Sequence, residues 1–305
     1  MIVGPRIVRL AALAAGTAGG LSGAAYGLLN GQSWYAHRLI GDPANLPLRA
    51  DGAYMPDEYG PVHPAELHEE PLRLALLGDS SASGLGVQRP EELPGVVLAR
   101  GLAAEVERPV ALSTRAVVGS TSRELAEQVE AVLADPPRLA LVLIGANDVV
   151  SRYRVSTCAE LLGQAVSRLT GEGVTVVVGT CPDLGAVRPI PQPLRAAARS
   201  WSLALAKAQR RAVEEAGGRA VPLADLLAPE FLTRSELFSP DRFHPSATGY
   251  AEVARILLPV MAEAVGGWTG GPLPSAPTRS ITAEARRPTA RIVARLNRRL
   301  RIRRG

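Results

Sequence analysis

The stretch LALLGDSSA, at residues 74–82, decides the fold of this 305-residue chain. Its first four residues form an apolar run that is typical of a strand buried in a parallel sheet. Gly78 and Asp79 are turn residues, and they end the run. Ser80 is therefore expected at the carboxyl edge of a sheet, where the chain leaves its strand.

Further apolar runs alternate with amphipathic helical patterns along the chain. Strands are predicted at residues 73–79, 109–118, 138–145, 174–181 and 219–224. Helices are predicted near residues 92–106, 121–134, 157–170, 194–217 and 246–266. Such an alternation predicts an α/β domain with five parallel strands and helices on both faces of the sheet. Polar residues that follow the strands then gather at one edge, where α/β proteins place their sites.

A serine, a histidine and an aspartate in this pattern point to nucleophilic catalysis. A serine hydroxyl needs a base that takes its proton as it attacks, and an imidazole is the usual base. His244 follows the last predicted strand, whereas the other three histidines precede the first one. Asp241 lies three residues before His244, close enough to accept from its second ring nitrogen and fix its tautomer. The sequence therefore predicts Ser80, His244 and Asp241 as the catalytic residues.

Two more polar turns follow predicted strands. Gly119 lies in the sequence VVGS after the second strand, and Asn147 lies in LIGAND after the third. At this point the chain resembles the SGNH, or GDSL-type, hydrolase superfamily, whose four sequence blocks carry Ser, Gly, Asn and His in that order. Here the four blocks fall on Ser80, Gly119, Asn147 and His244. The resemblance covers roughly residues 70–266. The Gly-x-Ser-x-Gly pentapeptide is absent around the serine, which disfavours the α/β-hydrolase fold.

The resemblance implies both a fold and a mechanism. The fold is a three-layered, doubly wound, flavodoxin-like α/β/α arrangement. The activity is that of a serine esterase that forms a covalent acyl-enzyme. The sequence itself contains no nucleotide-binding glycine motif after a strand and no familiar spacing of metal ligands, so no cofactor and no metal are expected. The backbone N–H groups of Ser80 and Gly119 and the side-chain amide of Asn147 would form the oxyanion hole. Asp79 is assigned to helix capping or loop support, not to chemistry.

The substrate stays open at the level of the sequence. Acyl esters of lipids or glycans are the expected substrates. Transfer of the acyl group to a sugar or lipid alcohol is an alternative, because the same acyl-enzyme serves both reactions. A tethered binding module without catalytic activity is a further alternative. The proline-rich segment 182–193 is either a wall of the acyl pocket or a plain connector.

The two ends of the chain differ from the middle. Residues 1–40 contain an uncharged span from Leu10 to Leu29, which is long enough to cross a bilayer. Two arginines precede the span and favour a cytoplasmic N-terminus. This predicts a membrane-anchored or exported protein. A cleaved signal peptide, or an Ala/Gly helix packed on a cytoplasmic domain, is the alternative.

The remaining segments are a linker at 41–70, the hydrolase domain at 71–266, a second linker at 267–285 and a basic tail at 286–305. The tail carries nine of the 34 basic residues and no acidic one, so the rest of the chain has 25 basic and 29 acidic residues. An amphipathic tail helix would bind anionic lipid headgroups at a membrane surface. Nucleic acid is the less favoured partner, and a disordered solubilising tail is a third possibility. The oligomeric state cannot be read from the sequence.

The two cysteines, Cys158 and Cys181, are compatible with export. A disulfide between them would close a loop of about two dozen residues. Two separate buried thiols are the alternative. His63 and His68 have glutamates nearby, but their spacing matches no familiar set of metal ligands, and a solvated surface turn is expected there.

Overall fold

The computed structural model describes residues 27, 28, 30–33, 35, 38, 47–57, 61, 62 and 66–275. The predictions for residues 10–26 of the uncharged span, for His63 and for the arginine-rich tail lie outside these residues. Within the described part of the chain, no helix is both long enough and apolar enough to cross a membrane.

Helices and strands alternate along the described chain. The strands are β1 (Gly52–Tyr54), β2 (Leu72–Gly78), β3 (Val110–Thr114), β4 (Leu139–Leu143), β5 (Thr175–Gly179) and β6 (Arg219–Val221). From Ser80 onward the α-helices are α1 (Ser80–Ser83), α2 (Pro94–Val106), α3 (Leu125–Leu133), α4 (Ala146–Val150), α5 (Val155–Gly171), α6 (Leu194–Glu215), α7 (Leu223–Thr233) and α8 (Ala247–Ala264). Single 3₁₀ turns lie at Pro90–Glu92, Leu184–Ala186 and Ser235–Leu237.

The strands form one sheet in the order β1-β3-β2-β4-β5-β6. The strands from β2 to β6 are parallel, as predicted. The predicted number of five is wrong, because β1 adds a sixth strand that pairs antiparallel with β3. This strand comes from the segment that we expected to be a linker. At three residues it is too short to show a period in the sequence.

Both faces of the sheet are covered, which explains why β2 reads as a continuous apolar run. Leu74 and Leu76 face a cluster that includes residues of α2, α7 and α8. Ala75 and Leu77 point to the other face and join residues of α3, α5 and α6. The three-layer α/β/α arrangement is therefore confirmed, and the carboxyl edge of the sheet is left for the site.

Helix α7 was not predicted, and the last predicted strand was too long. β6 ends at Val221, and α7 begins at Leu223 inside the stretch that we assigned to the strand. Pro229 lies within α7 and weakens its helical signal, since proline is disfavoured in helix interiors. Leu223 and Leu227 are buried in the core, so tertiary packing stabilises this helix.

Candidate active site

A tight turn places Ser80 at the carboxyl end of β2. Gly78 has a φ of +129°, and a Cβ atom there would lie 1.8 Å from the carbonyl oxygen of Leu143, so only glycine is accommodated. Asp79 caps α1, since its side chain accepts from the Ser81 N–H at 2.8 Å. This is the capping role that the sequence predicted. Ser80 is then the first residue of α1, and 6% of its surface is exposed.

Ser80, His244 and Asp241 form a hydrogen-bonded chain. The Ser80 Oγ lies 3.0 Å from His244 Nε2, and His244 Nδ1 lies 2.7 Å from Asp241 Oδ2. The other Asp241 oxygen accepts from the backbone N–H groups of Phe243 and His244 and from the Ser239 hydroxyl. With the Nδ1 proton held by the carboxylate, Nε2 faces Ser80 as an acceptor. The three residues that the sequence singled out are thus brought together in the order that a catalytic triad requires.

The carboxyl groups beside the serine have opposite pKa shifts. Burial raises the pKa of Asp241, but its hydrogen bonds with His244, Phe243 and Ser239 outweigh this effect and hold the pKa well below its usual value. Asp241 therefore stays ionised as the partner of His244. Burial raises the pKa of Asp79 to about 6, against the lowering effect of the hydrogen bonds from Ser81.

Three candidate oxyanion donors lie at the ends of adjacent strands. Gly119, after β3, has a φ of +83° and open space where a Cβ would lie, so its backbone conformation and not crowding favours glycine. Asn147 is in the first turn of α4, and its Nδ2 donates to the Ser120 carbonyl at 3.0 Å. The N–H groups of Ser80 and Gly119 donate to no acceptor among the residues that the structure describes. They are therefore available to a bound group.

Two buried polar side chains, which the sequence reasoning missed, tie these turns together. Asp148 is 1% exposed and accepts from the Ser122 N–H at 2.9 Å and from the Ser122 hydroxyl at 2.6 Å. Gln128 on α3 bonds both the N–H and the carbonyl of Gly78, and its Nε2 also donates to the Ser120 hydroxyl. A glutamine three residues after Leu125, on the apolar face of α3, was the signal that could have revealed it.

An apolar cavity of about 100 Å³ adjoins the serine and the histidine. The predicted wall segment 182–193 contributes Pro182, Leu184, Ala186 and Val187 to its lining. The unpredicted helix α7 contributes another wall. The segment therefore lines the cavity beside Ser80 and is more than a plain connector, and its role as a wall of the acyl pocket stays a prediction.

The cysteines are not joined. Cys158 and Cys181 are both free and buried. Burial raises the pKa of Cys158 to about 12 and that of Cys181 well above its usual value. A raised thiol pKa means little thiolate at neutral pH, so neither group is an activated nucleophile. The disulfide is thus not formed in the structure, and the alternative of two buried thiols applies.

Comparisons with known proteins agree with this geometry. The model of the GDSL-like lipase/acylhydrolase family matches residues 76–252. A curated relative, the GDSL-like esterase Rv1075c of Mycobacterium tuberculosis, is 43% identical over 290 residues, which are 90% of each chain. These matches make the binding-module alternative wrong.

Solved structures of lower identity share the fold. The lipase/acylhydrolase from Enterococcus faecalis has a TM-score of 0.51 at 21% identity, covering 61% of this chain and 93% of its own. TesA has a TM-score of 0.52 at 20% identity, covering 63% of this chain and 99% of its own. The family model and the curated relative together show that this chain is a serine hydrolase of the esterase type and belongs to the GDSL-like lipase/acylhydrolase family.

Proposed function

We propose that this protein hydrolyses carboxylic esters through a covalent acyl-enzyme on Ser80. The observation that carries the proposal is the hydrogen-bonded chain from Ser80 through His244 to Asp241, with distances of 3.0 and 2.7 Å. The ester carbon would be attacked by the Ser80 Oγ while His244 Nε2 takes the hydroxyl proton. Asp241 holds the imidazole in position and stabilises the imidazolium that forms.

The tetrahedral intermediate carries its negative charge on the former carbonyl oxygen. The N–H groups of Ser80 and Gly119 are the backbone donors for this oxygen. Asn147 donates one amide hydrogen to the Ser120 carbonyl and has a second one for the oxyanion. Donors held in place before the reaction stabilise the transition state more than the ground state.

The intermediate collapses by breaking the bond between carbon and the ester oxygen. The proton on His244 passes to the leaving alcohol, and the acyl group stays on Ser80. A water molecule then attacks the acyl-enzyme while His244 takes one of its protons. The bond between the acyl carbon and the Ser80 Oγ breaks, His244 returns the proton to the Ser80 Oγ, and the acid is released. When an alcohol takes the place of this water, the product is a new ester, which is the transferase alternative.

Substitution of the serine tests the proposal. Ser80→Ala should abolish hydrolysis of p-nitrophenyl acetate and covalent labelling by a fluorophosphonate probe, because the nucleophilic oxygen is gone. Ser83→Ala is the matched control, since it removes a buried hydroxyl of the same helix, whose hydrogen bond within the described residues goes to the Asp79 carbonyl. The control should keep its activity and its labelling. If Ser80→Ala were as active as the unchanged protein, another residue would have to be the nucleophile.

We further propose that the protein acts at a membrane, outside the cytoplasm. Support comes from the uncharged span at residues 10–29 and from the arginine-rich tail. Just after the span, Gln32 bonds the carbonyl of Gln192 and the N–H of Leu194, and Asn30 accepts from Arg152. These contacts hold the start of the described chain against loops at the edge of the sheet that carries Ser80.

A further inference from the structure

The cavity beside Ser80 has a lining that is mostly apolar. Ser80, His244 and Ile144, the residue that follows β4, are among the residues that line it. Loop 182–187 lines one side of it. Two buried carboxyl groups, those of Asp79 and Asp183, also line the cavity. Asp183 is ion-paired with Arg199, whose Nε lies 3.3 Å from its Oδ2, whereas Asp79 has no such partner among the ion pairs of the described residues. An acyl chain that enters this space should be apolar, because a carboxylate at its end would lose its hydration and lie near the Asp79 carboxyl.

Helix α7 forms one wall of the cavity. Leu223, Leu227, Ala228 and Phe231 of this helix line it. Phe231 packs edge-on against Phe238, with ring centroids 5.2 Å apart, which fixes its position. Leu227 and Ala228 are 5% and 3% exposed, so they lie in the interior and face the cavity and not bulk solvent. This wall is therefore built from buried side chains that their neighbours hold in place.

The volume limits what the cavity holds. A cavity of about 150 Å³ accommodates benzene, which has six carbon atoms. By the same proportion, about 100 Å³ accommodates about four carbon atoms. Overfilling a packed apolar site forces side chains out of their preferred rotamers.

We propose that this cavity is the acyl pocket and that α7 limits the enzyme to short, uncharged acyl chains of about four carbons. The proposal rests on the proposed esterase function. It assigns chain-length selection to Leu227 and its neighbours on α7, and it leaves the alcohol part of the ester outside the cavity.

A series of p-nitrophenyl esters with straight acyl chains of two to twelve carbons tests the selection in the unchanged protein. We expect kcat/KM to be highest near the butyryl ester and to fall about tenfold or more by the octanoyl ester. A single methylene in an apolar pocket is worth about tenfold or more in discrimination. Equal kcat/KM for butyryl and octanoyl esters would overturn the proposal.

Two leucine substitutions on the same helix test the role of α7. Leu227→Ala enlarges the cavity, so the octanoyl-to-butyryl ratio of kcat/KM should rise about tenfold. Leu226→Ala is the matched control, because Leu226 packs against the core but does not line the cavity. Its ratio should stay as in the unchanged protein. Circular dichroism verifies that both variants are folded. If either variant does not fold, the ester series on the unchanged protein still tests the proposal.

The outcomes separate this proposal from the function on which it rests. If no ester of the series is hydrolysed, the proposed function fails. If esters are hydrolysed but Leu227→Ala leaves the ratio unchanged, the esterase function stands and the acyl pocket lies elsewhere. In a second series, the acyl group is always butyryl and the alcohol increases in length. The dependence of kcat/KM on alcohol length should be the same in both variants. A change confined to the alcohol series would make the cavity an alcohol site and overturn the proposal.

Discussion

The oxyanion donors act on the transition state and not on the bound substrate. The Asn147 amide would bind a charge that exists only in the transition state. Asn147→Ala should therefore lower kcat by about 10²-fold or more and change KM little. Steady-state kinetics on p-nitrophenyl acetate measures both constants. An effect confined to KM would place Asn147 in substrate binding instead.

Asp148 helps to position the Gly119 and Asn147 donors, although it is not itself one of the proposed donors. Its two bonds to Ser122 hold the turn that carries Gly119 against the turn that carries Asn147. Asp148→Ala should lower kcat about tenfold or more, because a small misplacement of catalytic groups is costly. Asp148→Asn should keep most of the rate, since its amide can still accept from the Ser122 N–H and donate to its hydroxyl.

A double-mutant cycle separates positioning from a general loss of structure. In the Asn147→Ala background, Asp148→Ala should cost much less than it does alone, since one of the donors that it positions is already missing. Thr170→Val is a control for a lost side-chain hydrogen bond, because the Thr170 hydroxyl bonds the carbonyls of Val166 and Ala216 and does not line the cavity. Two effects on kcat that simply multiply would contradict a positioning role for Asp148.

The buried carboxyl of Asp79 makes stability depend on pH. The usual pKa of an aspartate is 3.8, and burial raises the pKa of Asp79 to about 6 in the folded protein. Between these pH values the unfolded chain loses the proton that the folded protein still holds, so the free energy of unfolding falls as the pH rises. The full effect is about 3 kcal/mol. Asp79→Asn keeps a good helix cap and removes this titration.

Urea unfolding at pH 4, 5, 6 and 7 measures the effect. The free energy of unfolding of the unchanged protein, minus that of Asp79→Asn, should decrease from pH 4 to pH 6 and then level off. Contributions from other titrating groups cancel in this difference. A difference that is independent of pH would show that Asp79 has no raised pKa in the folded protein.

At the scale of the helices and strands, the sequence predicts what its periodicity encodes. The apolar runs located five strands and the turns that follow them, and hence the positions of Ser80, Gly119 and Asn147. β1 has only three residues, which are too few to show the alternation typical of a strand. Pro229 lies inside α7 and weakens the helical signal of its sequence. The hydrogen bonds of Gln128 and Asp148 depend on which strands become neighbours, which short-range patterns do not contain. Residues of α7 line the cavity, so the cavity could not be predicted from a sequence analysis that missed this helix.

The proposed membrane attachment depends on the two ends of the chain. The chain apart from residues 286–305 has more acidic than basic residues, so it is not itself attracted to anionic lipids. The nine arginines of the tail are attracted to them, with an energy that falls as salt screens the charges. Burial of an uncharged span of twenty residues does not depend on salt in this way. The two modes of attachment are therefore distinguishable by ionic strength.

Two truncations test this division of roles. Removal of residues 1–26 should release the protein from membranes in high salt, while Gln32 stays in place against Gln192 and Leu194. Further removal of residues 286–305 should weaken the remaining, salt-sensitive binding to vesicles that contain phosphatidylserine, and sedimentation with the vesicles measures both effects. Vesicles of phosphatidylcholine alone are the control, because they offer the tail no net charge. Full-length protein that is recovered in the soluble fraction without detergent and is indifferent to vesicle charge would contradict both attachments, because neither a buried span nor a bound cationic tail permits that behaviour.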